Sequence, residues 1–445
     1  MPKPKKARKA KTKQAKAKKP LKFSTKTIRI RMYRIGFGDC FLVSLPVSNP
    51  DPNGDTHRHV LIDCGVHSQG KLDMSDRAVD NIASTTGKKL SLIIATHSHQ
   101  DHISGFSKRF SSFEIGEVWM PWCENPKDSK ALKLQKRHAA LTEKLDNHFK
   151  GERRRGTRPD TSRLAAEAAV ANLVQNKTAM ALLRSGFGVN AQVRYLEAGD
   201  SLKNPAGILG LSVNVLGPPR DEKFLAMMNP PAGQRYLNAS GGGSKTLNEL
   251  HPFAERWQIK ASKLKKAKDP KLAHLKLFSK EDAELFREEL ASESLDSLAF
   301  VLDQAKNNTS LVTLFGFRGE QLLFAGDAQW GNWKFWLDKD DAEAILSSVT
   351  FLKVAHHGSH NATPKDALER MTKGKFAAMV STQSVPWDSI PQIPLMDRLT
   401  EQTKNQIVRS DSLVVEKAPK GPEIDDSKLK GFVRGDFWFD YLIKL

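Results

Sequence analysis

Residues 90–102 read LSLIIATHSHQDH, an apolar run that ends abruptly in three histidines and one aspartate. The apolar run has the length and composition of a strand buried on both faces of a sheet. Alternate residues of an extended segment lie on the same side, so His97 and His99 should face one way. Asp101 and His102 are adjacent in the following turn and can reach a second ion. Imidazole and carboxylate groups suit zinc, manganese or iron, so the stretch predicts a metal site at the end of a buried strand.

Two further polar clusters follow apolar segments later in the chain. Asp327 comes after LLFAG, where a strand followed by glycine and aspartate is, on its own, common turn chemistry. His356 and His357 come after FLKVA and begin the run HHGSH. Because each cluster ends an apolar strand, all three can converge on one edge of the sheets. Their convergence would turn a cluster of histidines into a two-metal site.

The remaining chain alternates between strand-like and helix-like patterns. TIRIRMYRI, from Thr27, alternates polar and apolar residues as a strand does. Two helix-rich stretches, about 126–190 and 220–297, are interpreted as insertions into one β-rich framework of residues 26–445. The pattern predicts an α/β fold. Further predicted strands are CFLVSLP, HVLIDCG, EIGEVWMPW, SLAFVLD, SLVTLFGF, EQLLFAGDA and KFAAMVST.

Positive charge is concentrated at the N-terminus. The formal net charge is +20, and residues 1–22 contain eleven lysines and arginines without an acidic residue. Such a Lys-, Ala- and Pro-rich segment cannot bury a core, so residues 1–25 are predicted to be a disordered basic tail. A densely negative partner, nucleic acid first, is the expectation, and a solubilising tail without a specific partner is the alternative. The predicted nucleic-acid contacts are Lys5, Lys6, Arg8, Lys9, Arg153, Arg154 and Arg155.

Cysteine usage and hydropathy exclude several classes of protein. Cys40, Cys64 and Cys123 are too few and too scattered for a disulfide framework or a thiolate zinc site, which favours a reducing, cytoplasmic compartment. The chain has no apolar run of roughly 18 residues or more, and no apolar segment typical of a secretion signal near its start. The sequence therefore predicts a protein that does not span a membrane.

The order of the motifs resembles that of metallo-β-lactamase-fold hydrolases: Asp63 in LIDCG, then HSHQDH, then Asp327 in AGDA, then HHGS. The details are most similar to the competence-type branch, the hydrolase domain of the DNA-uptake protein ComEC. Shared features are a strand with a Gly-x-Gly-Asp turn at 35–39, the pattern NNTSLV at 307–312, and LKVAHHGS. The resemblance implies a four-layer αββα sandwich with helical insertions. ComEC is an integral membrane channel and this chain has no such segments, so a soluble relative is implied, to which DNA uptake does not transfer.

The resemblance also implies two divalent metal ions, Zn or Mn. Of the histidine pair, His357 is favoured as a ligand because it directly precedes Gly358, with His356 as the alternative. Typical members supply a further histidine at a position that falls near 306–308, where this chain has Lys-Asn-Asn. The second ion is then weakly held, or Asn308 helps to hold it. The implied ligands are His97 and His99 for the first ion, Asp101 and His102 for the second, Asp327 as a bridge, and one of His356 and His357.

Further residues are implied in roles around the ions. Asp63 would orient a ligand imidazole, and Asp101 would act in catalysis through the ion it binds. Ser359 and His360, beside the histidine pair, would hold a phosphate oxygen or protonate the leaving group, with ordinary loop hydrogen bonding as the alternative. Two ions about 3.5–4 Å apart activate water and clamp the attacking and leaving oxygens. That chemistry suits cleavage of a phosphodiester.

These observations predict a metal-dependent hydrolase, with a phosphodiesterase or nuclease acting on DNA or RNA as the first hypothesis. Soluble chains of this branch also resemble components of bacterial defence against foreign DNA, which is an analogy. A small-molecule ester, thioester or lactam hydrolase of the same fold is the second hypothesis, because the metal site does not discriminate among these substrates. A nucleic-acid-binding scaffold with a degenerate metal site is the third, which the missing histidine keeps open.

Overall fold

A computed structural model describes most of the chain from residue 26 onward. The basic tail, residues 1–25, lies outside the described residues with its four predicted nucleic-acid contacts, and so does Arg155. Most of the second predicted insertion, residues 237–294, also lies outside them. The described ranges are 26–48, 54–70, 73–154, 161–174, 176–236, 295–387, 390–413 and 428–445.

The strands of the described residues form two mixed sheets. In chain order they are β1 Thr27–Tyr33, β2 Cys40–Pro46, β3 His57–Cys64, β4 Lys89–Ile94, β5 Glu114–Pro121, β6 Gln192–Leu196, β7 Ser201–Lys203, β8 Leu211–Gly217, β9 Val312–Phe317, β10 Glu320–Phe324, β11 Phe351–Lys353, β12 Ala377–Val380, β13 Ile407–Arg409, β14 Phe432–Arg434 and β15 Trp438–Lys444. One sheet has the order β14-β15-β1-β2-β3-β4-β5-β6, and the other has the order β13-β12-β11-β10-β9-β8-β7.

Each sheet contains a parallel half. Strands β3 to β6 run parallel in the first sheet, and strands β10 to β13 run parallel in the second. The carboxyl ends of parallel strands share one edge, where ligands bind in open α/β sheets. Asp63 is the last residue but one of β3, residues 97–102 follow β4, Asp327 follows β10, and His356 and His357 follow β11. The topology therefore brings the predicted site residues to one edge of the sandwich.

Helices cover the outer faces of both sheets. None of the described helices has the length and hydropathy needed to cross a membrane. They are α1 Ser75–Thr86, α2 Gln100–Ile103, α3 Ser129–Arg154, α4 Thr161–Val174, α5 Lys177–Arg184, α6 Glu222–Leu225, α7 Leu295–Asn307, α8 Trp330–Leu337, α9 Ala342–Ser348, α10 Lys365–Arg370 and α11 Ile393–Gln402.

Three apolar layers hold the sheets and helices together. The middle layer lies between the sheets, where Leu92 of the first sheet shares a cluster with Phe315 and Phe324 of the second. The next residue of β4, Ile93, points to the opposite face and packs with α1, as the alternation of a strand requires. A third layer packs α8 to α11 against the second sheet. This order of helix, sheet, sheet and helix confirms the αββα sandwich predicted from the sequence.

The segment before β9 differs from the sequence prediction. The predicted strand SLAFVLD is wrong, because these residues belong to helix α7. Ala299 and Leu302 pack on α3 and α4, while Val301 and Ala305 join another cluster. A helix that is buried on two sides has a nearly continuous apolar sequence, which periodicity does not distinguish from a strand. The pattern NNTSLV likewise crosses the end of α7, and β9 begins only at Val312.

The first predicted helix-rich stretch contains α3, α4 and α5. Helix α7 begins at the end of the second stretch and continues past it, and its residues Ala299 and Leu302 pack on α3 and α4. The division of the chain into one domain with two insertions stays a prediction.

Candidate metal centre

The histidine-rich loop, residues 97–102, lies where the parallel strands of both sheets end. Four side chains from three separate segments, Asp101, His102, Asp327 and His357, each present one ligand atom, and these atoms all lie within 4.8 Å of one another. Each of the four residues is at most 2% exposed. Loops from two sheets thus close on a buried group of atoms that no single segment provides.

The ligand atoms of this cluster are close and incompletely paired. Nε2 of His102 lies 3.0 Å from Oδ2 of Asp327, and Nε2 of His357 lies 3.3 Å from the same oxygen and 3.2 Å from Oδ2 of Asp101. Oδ1 of Asp101 and Nε2 of His102 are buried and have no hydrogen-bond partner within the part of the chain that the structure describes. Buried polar atoms are nearly always paired, so converging unpaired ones indicate a cation site. Two imidazoles and two carboxylates fit a divalent ion such as zinc or manganese.

Opposite charges alternate within the cluster. Burial would lower the pKa of His357, but the carboxylates of Asp327, Asp101 and Asp39 together raise it to about 10. The pKa of His102 is likewise raised well above its usual value, against burial, by Asp327 and Asp63. Burial would raise the pKa values of Asp101 and Asp327, but the histidines hold both below the usual range. Two protonated imidazoles therefore balance two carboxylates in the metal-free protein.

His97 and His99 form a second group of nitrogens beside the cluster. Nε2 of His97 lies 3.0 Å from Nδ1 of His99, and the rings of His97 and His102 are 4.1 Å apart. Burial lowers the pKa of His99 to about 3 and that of His97 well below its usual value. Both imidazoles are neutral, which is the form in which histidine binds a metal. Nitrogens that face each other at this distance share either a proton or a cation.

The Nδ1 atoms of His102 and His357 form hydrogen bonds with groups outside the four-residue cluster. Oδ2 of Asp63 accepts from Nδ1 of His102 at 2.7 Å, and the carboxylate also accepts from the backbone N–H and the hydroxyl of Thr96, each at 2.7 Å. Nδ1 of His357 donates to the carbonyl oxygen of Ser381 at 2.8 Å. These contacts leave Nε2 of both rings directed at the carboxylates. Asp63 lies beside a ligand imidazole and does not itself join the four-residue cluster.

The adjacent histidines His356 and His357 direct their rings at different partners. His356 and His357 both adopt left-handed backbone conformations, with φ of 45° and 53°, each of which costs about 1–3 kcal/mol in a residue other than glycine. Nε2 of His356 lies 3.2 Å from the amide nitrogen of Asn307, and its Nδ1 lies 2.8 Å from the hydroxyl of Ser359. The structure therefore brings His357, and not His356, into the cluster of ligand atoms.

The two residues predicted to contact substrate lie at different depths. Ser359 is buried, and its hydroxyl contacts His356 and lies 2.7 Å from Oδ1 of Asn361. His360 is exposed, with Nε2 3.3 Å from Oδ1 of Asn229. Ser359 thus supports the histidine pair from within, whereas His360 lies at the surface beside Asn229.

Asn308 does not serve as a substitute ligand. Its Oδ1 accepts from the backbone N–H groups of Gln329 and Asn332, and its Nδ2 donates to the carbonyl oxygens of Leu225 and Met227. The expectation that Asn308 helps to hold an ion is wrong, because its amide already hydrogen-bonds four backbone groups.

The basic run at the end of α3 is only partly described. Arg153 and Arg154 are exposed, and Nη2 of Arg153 lies 3.0 Å from Oε2 of the buried Glu167. This ion pair offsets part of the charge that Arg153 offers to a polyanion. Contact of the run with nucleic acid stays a prediction.

Sequence reasoning missed two buried charges next to Asp327. The Lys353 ammonium contacts Oδ2 of Asp39, donates to the carbonyl of Gly326 at 2.8 Å and lies 3.3 Å from Oδ1 of Asp327. Burial would lower the pKa of Lys353, but Asp39 and Asp327 raise it. A signal was available, because Asp39 ends the Gly-x-Gly-Asp turn and Lys353 stands in LKVAHHGS.

One residue of helix α4 and one of helix α7 also reach the histidine-rich loop and were missed. Oδ1 of Asp303, on α7, lies 3.4 Å from Nε2 of His99. Oδ1 of Asn172, on α4, accepts from the backbone N–H of Asp101 at 3.3 Å. No local pattern marks either residue, because these contacts depend on how distant helices pack.

Comparison with known proteins gives a family match for the part of the chain that carries Asp63 and the histidine-rich loop. A family model described as the metallo-beta-lactamase superfamily matches residues 40–118. The matched segment includes Asp63 and the loop 97–102, and it ends before Asp327 and His357. A search of curated proteins found no match to this chain. The competence-type branch therefore stays a prediction.

Proposed function

We propose that this chain is a metal-dependent hydrolase that cleaves phosphodiester bonds in DNA or RNA. The observation that carries the hydrolase assignment is the buried convergence of Asp101, His102, Asp327 and His357, in a chain whose residues 40–118 match the metallo-beta-lactamase superfamily. The choice of a polyanionic substrate is supported by the formal net charge of +20.

The residues that would hold divalent ions are Asp101, His102, Asp327 and His357, together with the neighbouring pair His97 and His99. Ions bound there would lower the pKa of water toward about 7 and offset negative charge that develops on a phosphoryl group.

The protein contributes orientation and charge balance. Asp63 accepts a hydrogen bond from Nδ1 of His102, and the Ser381 carbonyl accepts one from Nδ1 of His357, so Nε2 of each ring is the nitrogen directed at the cluster. The Lys353 ammonium offsets the charges of Asp39 and Asp327. Ser359 and His360 stay candidates for contact with the phosphate or the leaving group.

A direct test is hydrolysis by the purified protein with Mn or Zn. The substrates are labelled single- and double-stranded DNA, RNA and a chromogenic phosphodiester, together with an ester, a thioester and a lactam. We expect metal-dependent cleavage of the phosphodiesters and a loss of more than about 100-fold in the variant His99→Ala/Asp101→Ala. Asp338→Asn, which changes an exposed carboxylate paired with Lys334, is the matched control.

Three results would separate the hypotheses. Cleavage of the small esters, thioesters or lactams without phosphodiester cleavage would replace the proposed substrate class. Metal binding and polyanion binding without turnover of any substrate would favour a scaffold. Phosphodiester cleavage that survives in His99→Ala/Asp101→Ala would assign the activity to another site or to a contaminant.

A further inference from the structure

Helices α4 and α7 lie side by side next to the histidine-rich loop. They pack on each other through an apolar cluster that includes Val170 and Leu302. Each helix also presents a polar side chain to residues 97–102, namely Asn172 from α4 and Asp303 from α7. Helices α4 and α7 therefore place polar groups beside the candidate metal centre.

Asp303 stands at the far side of a predicted ligand ring. Its Oδ1 lies 3.4 Å from Nε2 of His99, and neither atom has a hydrogen-bond partner among the described residues. The other nitrogen of that ring, Nδ1, faces Nε2 of His97 at 3.0 Å. Asp303 thus stands to His99 as Asp63 stands to His102, with a buried carboxylate behind the ring and the opposite nitrogen facing the ligand group.

The position of Asp303 is itself held. Asn172 hydrogen-bonds the Asp303 carboxylate and also accepts from the backbone N–H of Asp101. Asn176, just after α4, donates to the backbone carbonyl of Ser98. The loop is therefore attached to these helices on both sides of His99.

One turn further along α7, the ion pair of Lys306 with Glu124 also connects the helix to the histidine-rich loop. The ammonium of Lys306 lies 2.5 Å from Oε1 of Glu124, and the same oxygen accepts from the hydroxyl of Ser98 at 2.8 Å. Glu124 also pairs with Arg184 of α5 at 2.9 Å. A helix held in this way keeps Asp303 next to the His99 ring.

We infer that Asp303 is a positioning residue, which accepts a hydrogen bond from Nε2–H of His99 and so presents Nδ1 to the metal ion. The inference rests on the metal-binding part of the proposed function. Carboxylates behind a ligand histidine fix its tautomer and increase its basicity, and their loss costs about 10–100-fold in metal affinity. A formed hydrogen bond spans roughly 2.7–3.2 Å, so this contact should shorten when the ion makes the Nε2 proton more acidic.

The test compares metal binding by wild type, Asp303→Asn and Asp303→Ala. Calorimetric titration of the metal-free protein with Zn gives the number and affinity of the ions, and the visible spectrum of the cobalt-loaded protein reports the ligand set. Asp303→Ala should lose about 10–100-fold in affinity for one ion and keep the affinity for the other. Asp303→Asn should lose less affinity, because the amide oxygen can still accept a hydrogen bond from His99.

Matched variants distinguish positioning from folding. Asp63→Asn should weaken the ion on the other side, next to His102, and Asp338→Asn should change neither affinity. Thermal unfolding of the metal-free variants shows whether each one folds, and the isosteric Asp303→Asn keeps the test valid if Asp303→Ala does not fold.

Specific outcomes would overturn the inference. Unchanged affinity for both ions in Asp303→Ala would exclude a positioning role. A cobalt spectrum of Asp303→Asn that shows loss of a ligand would make Asp303 a direct ligand instead. If the wild type binds no metal, both this inference and the proposed function fail. If the wild type binds two ions and Asp303→Ala loses one as expected, but no phosphodiester is cleaved, only the proposed substrate is wrong.

Discussion

Among single residues, the backbone decides which histidine of the pair joins the candidate metal cluster. His357 directs Nε2 at Asp101 and Asp327, whereas both ring nitrogens of His356 contact Asn307 and Ser359. We therefore expect His357→Ala to weaken binding of one ion by more than about 100-fold, and His356→Ala to change it by less than about tenfold. Calorimetric zinc titration of both variants measures the difference. A larger loss in His356→Ala would reverse the assignment.

Metal binding should release protons and strengthen as the pH rises. In the metal-free protein the pKa of His357 is raised to about 10 and that of His102 is raised well above its usual value. Both imidazoles are therefore protonated at neutral pH, and a metal must displace those protons. The apparent affinity should increase by up to about tenfold per pH unit for each proton released.

This linkage is measured by zinc titration at two pH values, in buffers that differ in ionisation enthalpy. His357→Gln should release one proton fewer than the wild type, which provides an internal control. A binding enthalpy that does not depend on the buffer would contradict protonated ligand histidines.

Lys353 should stabilise the metal-free protein. Its ammonium, like its partner Asp39, is almost fully buried, so Lys353→Met leaves uncompensated carboxylates. Removal of one partner from a buried pair costs about 3–5 kcal/mol in the free energy of unfolding. Urea unfolding in the presence of a chelator measures the loss. The control Lys334→Met breaks a more exposed pair with Asp338 and should cost less than about 1 kcal/mol. Equal effects of the two variants would mean that the buried contact adds nothing.

At the scale of elements, local pattern predicted the strands well and the helix α7 wrongly. The alternation of TIRIRMY and the apolar run before His97 each reflect burial of a strand, and the structure has β1 and β4 there. SLAFVLD is apolar because α7 is buried on two sides, and only its packing on α3 and α4 distinguishes it from a strand. Asp303 could not be predicted for the same reason, since its contact with His99 exists only once α7 is docked.

Because α7 packs through a buried apolar face, shortening a side chain on that face should lower the free energy of unfolding. Leu302 is 1% exposed and lies in the cluster shared with α3 and α4. Leu302→Ala should lower the free energy of unfolding by about 2–5 kcal/mol. Leu209→Ala, at a leucine that is 81% exposed, should change it by less than about 0.5 kcal/mol. Urea unfolding compares the two, and similar small effects would mean that α7 is weakly docked.

For the whole molecule, the candidate metal cluster and the largest concentration of positive charge lie in different parts of the chain. The cluster is built from loops of both sheets, whereas eleven of the net +20 charges lie in residues 1–22. Under the proposed function, the cluster carries the chemistry and the basic tail attracts the polyanion. The two should separate in experiment.

Deletion of residues 1–22 should weaken nucleic-acid binding and leave the chemistry intact. Each phosphate contact that is lost reduces the slope of log affinity against log salt by about 0.9 for duplex DNA and about 0.7 for single strands. Eleven basic residues are removed, so the slope should fall by several such steps. Turnover of a small chromogenic phosphodiester should not change, because that substrate needs only the metal cluster. A full-length variant whose tail lysines and arginines are replaced by glutamine controls for tail length. Nucleic-acid affinity and salt slope that are unchanged in both variants would show that the tail is a solubilising segment and not a binding one.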